Sequence, residues 1–156
     1  MSIYYIDQDF SFFDRFTIKD ENQKDIFYAE EEKFSFSKKI HLKTMGGEEI
    51  LRVEEEIFSF LSKYYFFVGE EKIAELKRDW SFFKARYQMV FPNWTIEGDI
   101  WDYHYKIKEE ETVIARIDKK VFSFMDAYEI EVFEEDFVEL ILGIVIAIDA
   151  DLAKED

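Results

Sequence analysis

An aromatic-Ser-Phe tripeptide recurs at Phe10-Ser11-Phe12, Phe34-Ser35-Phe36, Phe58-Ser59-Phe60, Trp80-Ser81-Phe82 and Phe122-Ser123-Phe124, and successive copies start 24, 24, 22 and 42 residues apart. The last interval is about double the others. Midway through it stands Trp101-Asp102-Tyr103, a sixth copy with Asp in place of Ser. Self-similarity at a fixed period means that one supersecondary unit is built again and again. Six units of roughly 22 residues therefore account for most of the chain.

Each tripeptide leads into a segment that alternates: Phe16-Thr17-Ile18, Ile40-His41-Leu42, Tyr64-Tyr65-Phe66, Tyr87-Gln88-Met89, Tyr105-Lys106-Ile107 and Tyr128-Glu129-Ile130. Period-two alternation marks a strand with one buried face. Turn-formers or charge clusters follow at Asp20-Glu21-Asn22, Met45-Gly46-Gly47, Gly69-Glu70-Glu71, Pro92-Asn93 and Glu109-Glu110-Glu111, which read as hairpin tips. Beyond the tips come Ile26-Phe27-Tyr28-Ala29, Ile50-Leu51-Arg52-Val53, Ile73-Ala74-Glu75-Leu76, Trp94-Thr95-Ile96 and Val113-Ile114-Ala115-Arg116-Ile117. With the opening Ile3 to Asp7, twelve strands are expected. The tripeptide then marks the corner between one unit and the next, where Ser suits a bend and the aromatics are expected to pack as core.

After the last strand, Glu134-Glu135-Asp136 is expected to cap a helix and place negative charge at its N-terminus. Phe137 to Ala150 is apolar on nearly every side, so that helix must be enclosed. A twelve-stranded sheet closes with more room inside than its own side chains fill. The expected fold is mainly β with one buried helix, a closed twelve-stranded barrel around a hydrophobic C-terminal helix. A single domain over residues 1–156 is expected, with the barrel at about 1–133 and the helix at about 136–153.

The repeated aromatic-Ser-Phe corners, the segment Trp94-Thr95-Ile96-Glu97-Gly98-Asp99-Ile100-Trp101 and the C-terminal Ile144-Val145-Ile146-Ala147-Ile148-Asp149-Ala150 resemble the LURP-one-related family of the tubby C-terminal-like superfamily. The resemblance spans nearly the whole chain. It implies a twelve-stranded barrel around a central hydrophobic helix and carries no catalytic residue. Other branches of the superfamily include tubby proteins and phospholipid scramblases, and plant members of the family are linked to defence responses. Tubby domains bind phosphoinositide headgroups through clustered basic side chains, and no equivalent cluster matches here residue by residue.

Composition narrows the partners. With 36 acidic residues against 20 basic ones, the net charge of −16 repels nucleic acid. The chain has no cysteine, which removes thiolate chemistry and fits a reducing cytoplasm. Met1 to Asp7 has no positive stretch followed by an apolar run, so no secretory signal is read and a cytoplasmic location is expected. The longest nearly apolar run, Phe137 to Ile148, is too short for a spanning helix. No cofactor is implied.

A basic residue recurs five positions after the first aromatic of four units, Arg15, Lys39, Lys63 and Lys106, and Arg86 joins them with one residue inserted. Alternation points these outward as a basic girdle near one rim. With Lys38, Lys77, Arg78, Lys119 and Lys120, the girdle is a candidate site for an anionic headgroup or a polyanionic partner. The structural alternative is cross-strand pairing with Asp9, Glu32, Glu56, Asp79 and Asp118. His41 and His104 lie within strands and read as structural. Glu30-Glu31-Glu32, Glu54-Glu55-Glu56 and Glu109-Glu110-Glu111 read as solvated surface rather than a calcium loop. Asp149 and Asp151 close the helix, as a polar contact at its end or as paired catalytic carboxylates.

The sequence thus points to a non-enzymatic binding or scaffold module. A phospholipid, another anionic or acyl ligand, or a protein is the partner class. The competing readings are a carboxylate- or metal-dependent hydrolase at one barrel end, and a homo-oligomer joined through exposed aromatics.

Overall fold

The alternating segments form strands that close on themselves. In the computed structural model, which describes residues 1–7, 15–79, 86–121 and 126–154, twelve strands and one α-helix are present among the described residues. The strands are β1 (Ser2–Asp7), β2 (Arg15–Asp20), β3 (Asp25–Glu31), β4 (Lys39–Thr44), β5 (Glu49–Glu55) and β6 (Lys63–Val68) in the first half. In the second half are β7 (Glu71–Asp79), β8 (Arg86–Phe91), β9 (Trp94–Asp99), β10 (His104–Glu109), β11 (Thr112–Val121) and β12 (Asp126–Val132). Each strand pairs antiparallel with its neighbours in sequence, and β1 closes the barrel on β12 from Ser2 opposite Val132 to Asp7 opposite Ala127. Closure leaves no free sheet edge. The sparsest seam is β8 against β9, which share one residue pair, Gln88 with Thr95.

The period-two pattern selects the inner face. Ile40 and Leu42, Leu51 and Val53, Tyr64 and Phe66, Ala74 and Leu76, and Tyr87 and Met89 are all buried and contribute to one core. Gly98 is required by the close approach of β9 to β10: at φ 133° its missing Cβ would lie 2.4 Å from the His104 carbonyl oxygen. Neither the space nor the backbone angle accepts a side chain there.

The apolar run forms α1 (Val138–Ala153), and every residue from Leu140 to Leu152 is buried. A helix with its side chains is about 10–12 Å across, wider than the interior of an eight-stranded barrel that its own side chains fill. Twelve strands give it room. The fit is close at Gly143, where a Cβ would meet Leu51 Cδ2 at 2.4 Å and the Phe66 ring at 3.3 Å. That glycine lets β5 and β6 press against the helix.

Two expectations fail. No side chain caps the helix: a 3-10 turn at Glu135–Phe137 leads into it, and neither Glu134 nor Phe137 makes a side-chain capping bond. Glu135 instead accepts hydrogen bonds from the Ser2 hydroxyl at 2.6 and 2.7 Å, which ties the turn to β1. The tripeptide aromatics of two units are also not core. Phe34, Phe36, Phe58 and Phe60 are 103, 102, 92 and 90% exposed. The helix and the inward strand residues already fill the interior, so these rings have no cavity to enter. Phe10-Ser11-Phe12, Trp80-Ser81-Phe82 and Phe122-Ser123-Phe124 lie outside the described residues.

Replacing Ile144, fully buried in α1, with Asp places an unpaired charge inside the barrel. The expected outcome is loss of the cooperative urea transition, whereas Ile144→Val costs about 0.5–1.5 kcal/mol in the same measurement.

Candidate functional site

Antiparallel neighbours send alternate connections to opposite ends of the barrel. The segments 32–38, 56–62 and 100–103, which carry three of the six tripeptide copies, therefore share one rim. Two of them are equivalent excursions: the Glu32 N–H donates to the Lys39 carbonyl at 2.8 Å, and 24 residues on the Glu56 N–H donates to the Lys63 carbonyl at 2.8 Å. Each bond closes the base of a loop whose two Phe rings stand in solvent. The Ser59 hydroxyl donates to the Leu61 carbonyl and fixes the bend. Phe34 sits at φ 62°, a left-handed conformation that costs a non-glycine residue about 1–2 kcal/mol. The sixth copy makes a shorter turn, and its Tyr103 stacks on Tyr128 with ring centroids 4.7 Å apart.

The C-terminus of α1 arrives beneath this rim. Asp151, fully buried, accepts from the Tyr64 hydroxyl at 3.0 Å and the Tyr87 hydroxyl at 2.6 Å. The Arg78 guanidinium lies 3.4 Å from it and the Lys154 ammonium 3.5 Å. Lys154 also bonds Glu55, the last residue of β5. Asp149, 4% exposed, accepts from the Tyr128 hydroxyl at 3.1 Å. Residues two apart on a helix face nearly opposite sides, so the carboxylates diverge, Asp151 toward β6 to β8 and Asp149 toward β12. They do not converge on a common substrate. Burial, then the neighbouring Asp151, pushes the Tyr64 and Tyr87 phenols far above their ordinary range. Burial and then Asp149 do the same to Tyr128.

Four girdle residues, Arg15, Lys39, Lys63 and Arg86, are the first residues of β2, β4, β6 and β8, and Lys106 is the third of β10. The residues that follow them are buried at Ile40, Tyr64, Tyr87 and Ile107 and half-buried against the core at Phe16, so the girdle faces outward just below the rim. Lys39 pairs with Glu54 at 3.6 Å and Glu32 at 3.9 Å, and Lys106 with Glu97 at 4.0 Å. The Arg15 guanidinium stacks over Tyr28 at 3.8 Å. Lys63 stands opposite Lys77 in register and Arg86 opposite Asp79. Asp9 lies outside the described residues. Glu56 accepts from the Tyr65 hydroxyl at 2.5 Å, a bond that holds its carboxyl below the usual range and raises Tyr65 to about 12. His104 contacts Asp118 at 3.0 Å, and His41 contacts Glu49. Arg78 departs from the outward set. With Ala74 and Leu76 it occupies the inner face of β7, and this i, i+2 spacing was the signal available in the sequence.

A cleft of about 530 Å³ opens under the 33–38 loop. Lys33, Lys38, Glu31, Glu32 and Glu55 line it with both signs of charge. No group of three or more metal-ligating side chains is assembled among the described residues, and no helix there is long and apolar enough to cross a membrane.

A phenol whose folded-state pKa is raised favours the folded chain fully below the unfolded value of about 10, and that contribution is lost as pH rises above it. Tyr64, Tyr87 and Tyr128 are accordingly expected to ionise within the alkaline unfolding transition, followed by phenolate absorbance and circular dichroism on one sample. Tyr64→Phe and Tyr87→Phe each remove a donor from a buried carboxylate, and each is expected to cost about 1.5–3 kcal/mol in urea unfolding.

Comparison with known proteins agrees with this architecture. A family model described as LURP-one-related matches residues 2–149. The uncharacterized protein YxjI of Bacillus subtilis is 26% identical over 147 residues, covering 94% of this chain and 91% of that one. The X-ray structure of a protein from Arabidopsis thaliana superposes with a TM-score of 0.63 at 14% identity, over 95% of this chain and 91% of its own. At that identity the likeness is one of fold.

Proposed function

The chain belongs to the LURP-one-related family, and from that premise we propose that it is a non-enzymatic binding module whose tripeptide rim docks on a phospholipid surface. The observation that carries the proposal is the full exposure of Phe34, Phe36, Phe58 and Phe60 on two loops of one rim. Large apolar groups held in water on adjacent tips mark an interaction surface. Fully burying one such side chain is worth about 1.5–3 kcal/mol, so a few rings are enough for reversible attachment. The strained backbone at Phe34 supports the same reading, because strain at a tip is retained where the tip is used.

Behind the rings, the girdle residues Arg15, Lys39, Lys63, Arg86 and Lys106 stand at the level of lipid headgroups. The cleft under the 33–38 loop offers ammonium and carboxylate groups together, a complement to a zwitterionic headgroup. The net charge of −16 opposes strongly anionic surfaces. A zwitterionic bilayer is therefore the favoured partner. The divergence of Asp149 and Asp151, both sealed from solvent, supports a binding role over a hydrolytic one. A cytoplasmic protein meeting the inner membrane surface fits this reading.

Flotation with phosphatidylcholine vesicles tests it. The unaltered chain is expected to float, and Phe34→Ser/Phe36→Ser/Phe58→Ser/Phe60→Ser to lose more than tenfold in binding. The stability of that variant should change little, since each site is solvent-exposed, where substitutions typically fall within about 0.5 kcal/mol. Failure of the unaltered chain to float with any lipid composition would sink the proposal.

A further inference from the structure

The opposite end of the barrel carries a second concavity unrelated to the rim. A cleft of about 580 Å³ lies where the β4–β5 turn, the ends of β6 and β7 and the first turn of α1 meet. Its walls include Ile50, Val68, Ile73, Phe137 and Leu140. Of these, Val68 is 49% exposed and Phe137 37%, so apolar area is left uncovered inside a concave site. Phe137 is held in place by an edge-on contact with Trp94, with ring centroids 5.1 Å apart. Trp94 is itself anchored by its indole N–H, which donates to Glu109 at 3.0 Å. The wall is therefore preformed.

The mouth is of one sign. Glu48, Glu49, Asp136 and Glu139 line the cleft, and among the described residues no lysine, arginine or histidine does. Glu49 is engaged by His41 and by Arg52, the latter at 3.3 Å. Glu48, Asp136 and Glu139 make no ion pair among the described residues. Asp136 and Glu139 also face the positive end of the helix dipole, which gives them a structural role. Glu48 has none of that, since it sits on the β4–β5 turn. The dipole therefore does not account for the whole acidic mouth.

We propose that this cleft binds a small amphiphilic cation, an alkyl- or arylammonium whose apolar body lies against Val68, Ile73 and Phe137 while its charge meets Glu48, Asp136 and Glu139. The volume is that of a small-molecule site, within the range of about 300–1,000 Å³. Charge complementarity fixes the sign of the ligand, and the uncovered apolar walls require that it be more than an ion.

Titrating the full chain with octyltrimethylammonium, octyl glucoside and octyl sulfate at fixed ionic strength, with amide shifts mapped by NMR, tests the proposal. The ammonium is expected to bind one to one and to move the amides of Val68, Ile73 and Phe137. The glucoside should bind more weakly and the sulfate not at all. Glu48→Gln is expected to weaken the ammonium about two- to fivefold without changing stability, and Val68→Ser to weaken all binding. Glu21→Gln, on the β2–β3 turn, is the control for general acidity and should leave binding unchanged. Equal binding of sulfate and ammonium overturns the proposal. Shifts confined to the Phe34 to Phe60 rim, or an equal effect of Glu21→Gln and Glu48→Gln, overturn it as well.

Discussion

A helix that is apolar on every side is unstable in water unless something surrounds it. From Leu140 to Leu152 no residue of α1 reaches the surface. Its backbone groups are bonded within the helix, so the surrounding layer needs to supply only apolar contact and closure. A flat sheet covers one face. A barrel covers all of them, and twelve strands give the width that a helix of about 10–12 Å needs. The pairing of β1 with β12 is thus a condition of helix burial, because a gap there would wet the core and expose two sheet edges.

Enclosure also creates the least comfortable feature of the molecule. Asp149 and Asp151 enter the barrel at the negative end of the helix dipole, where anions are disfavoured. Tyr64, Tyr87 and Tyr128 supply hydroxyl donors, and Arg78 and Lys154 supply charge. A buried carboxylate is tolerable only when such partners are in place. These contacts also fix how far the helix enters, since sliding it inward by one turn would strand both carboxylates in apolar surroundings. With the interior occupied, binding is left to the two ends and the outer wall. The ends differ in kind: one raises phenylalanines on long loops, and the other combines tight turns with an acidic, half-apolar cleft.

The repeat and its alternation made the strand number, the hairpin tips and the enclosed helix legible, because each is a periodic property of a segment. Girdle positions were legible for the same reason. Properties that depend on the position of a residue along the barrel axis were not. Phe34 and Phe66 have the same side chain, yet one is fully exposed and the other is fully buried; composition favours core for both. Only the knowledge that the interior is already full separates them. Arg78 looked like one more surface cation until its place after Ala74 and Leu76 on the inner face was weighed against the chain pattern around it. The acidic run before α1 looked like a cap, but the bond that matters there joins Glu135 to Ser2 at the far end of the sequence, and no local pattern announces it.

Native-state hydrogen exchange on the helix interior measures enclosure most directly. If α1 is released only when the barrel opens, the amides from Leu142 to Ile148 exchange with the free energy of global unfolding obtained from urea, matching β5 and β6. Exchange of those helix amides at a markedly lower free energy than the strands would mean that the helix leaves an intact barrel, and would contradict a helix locked inside it.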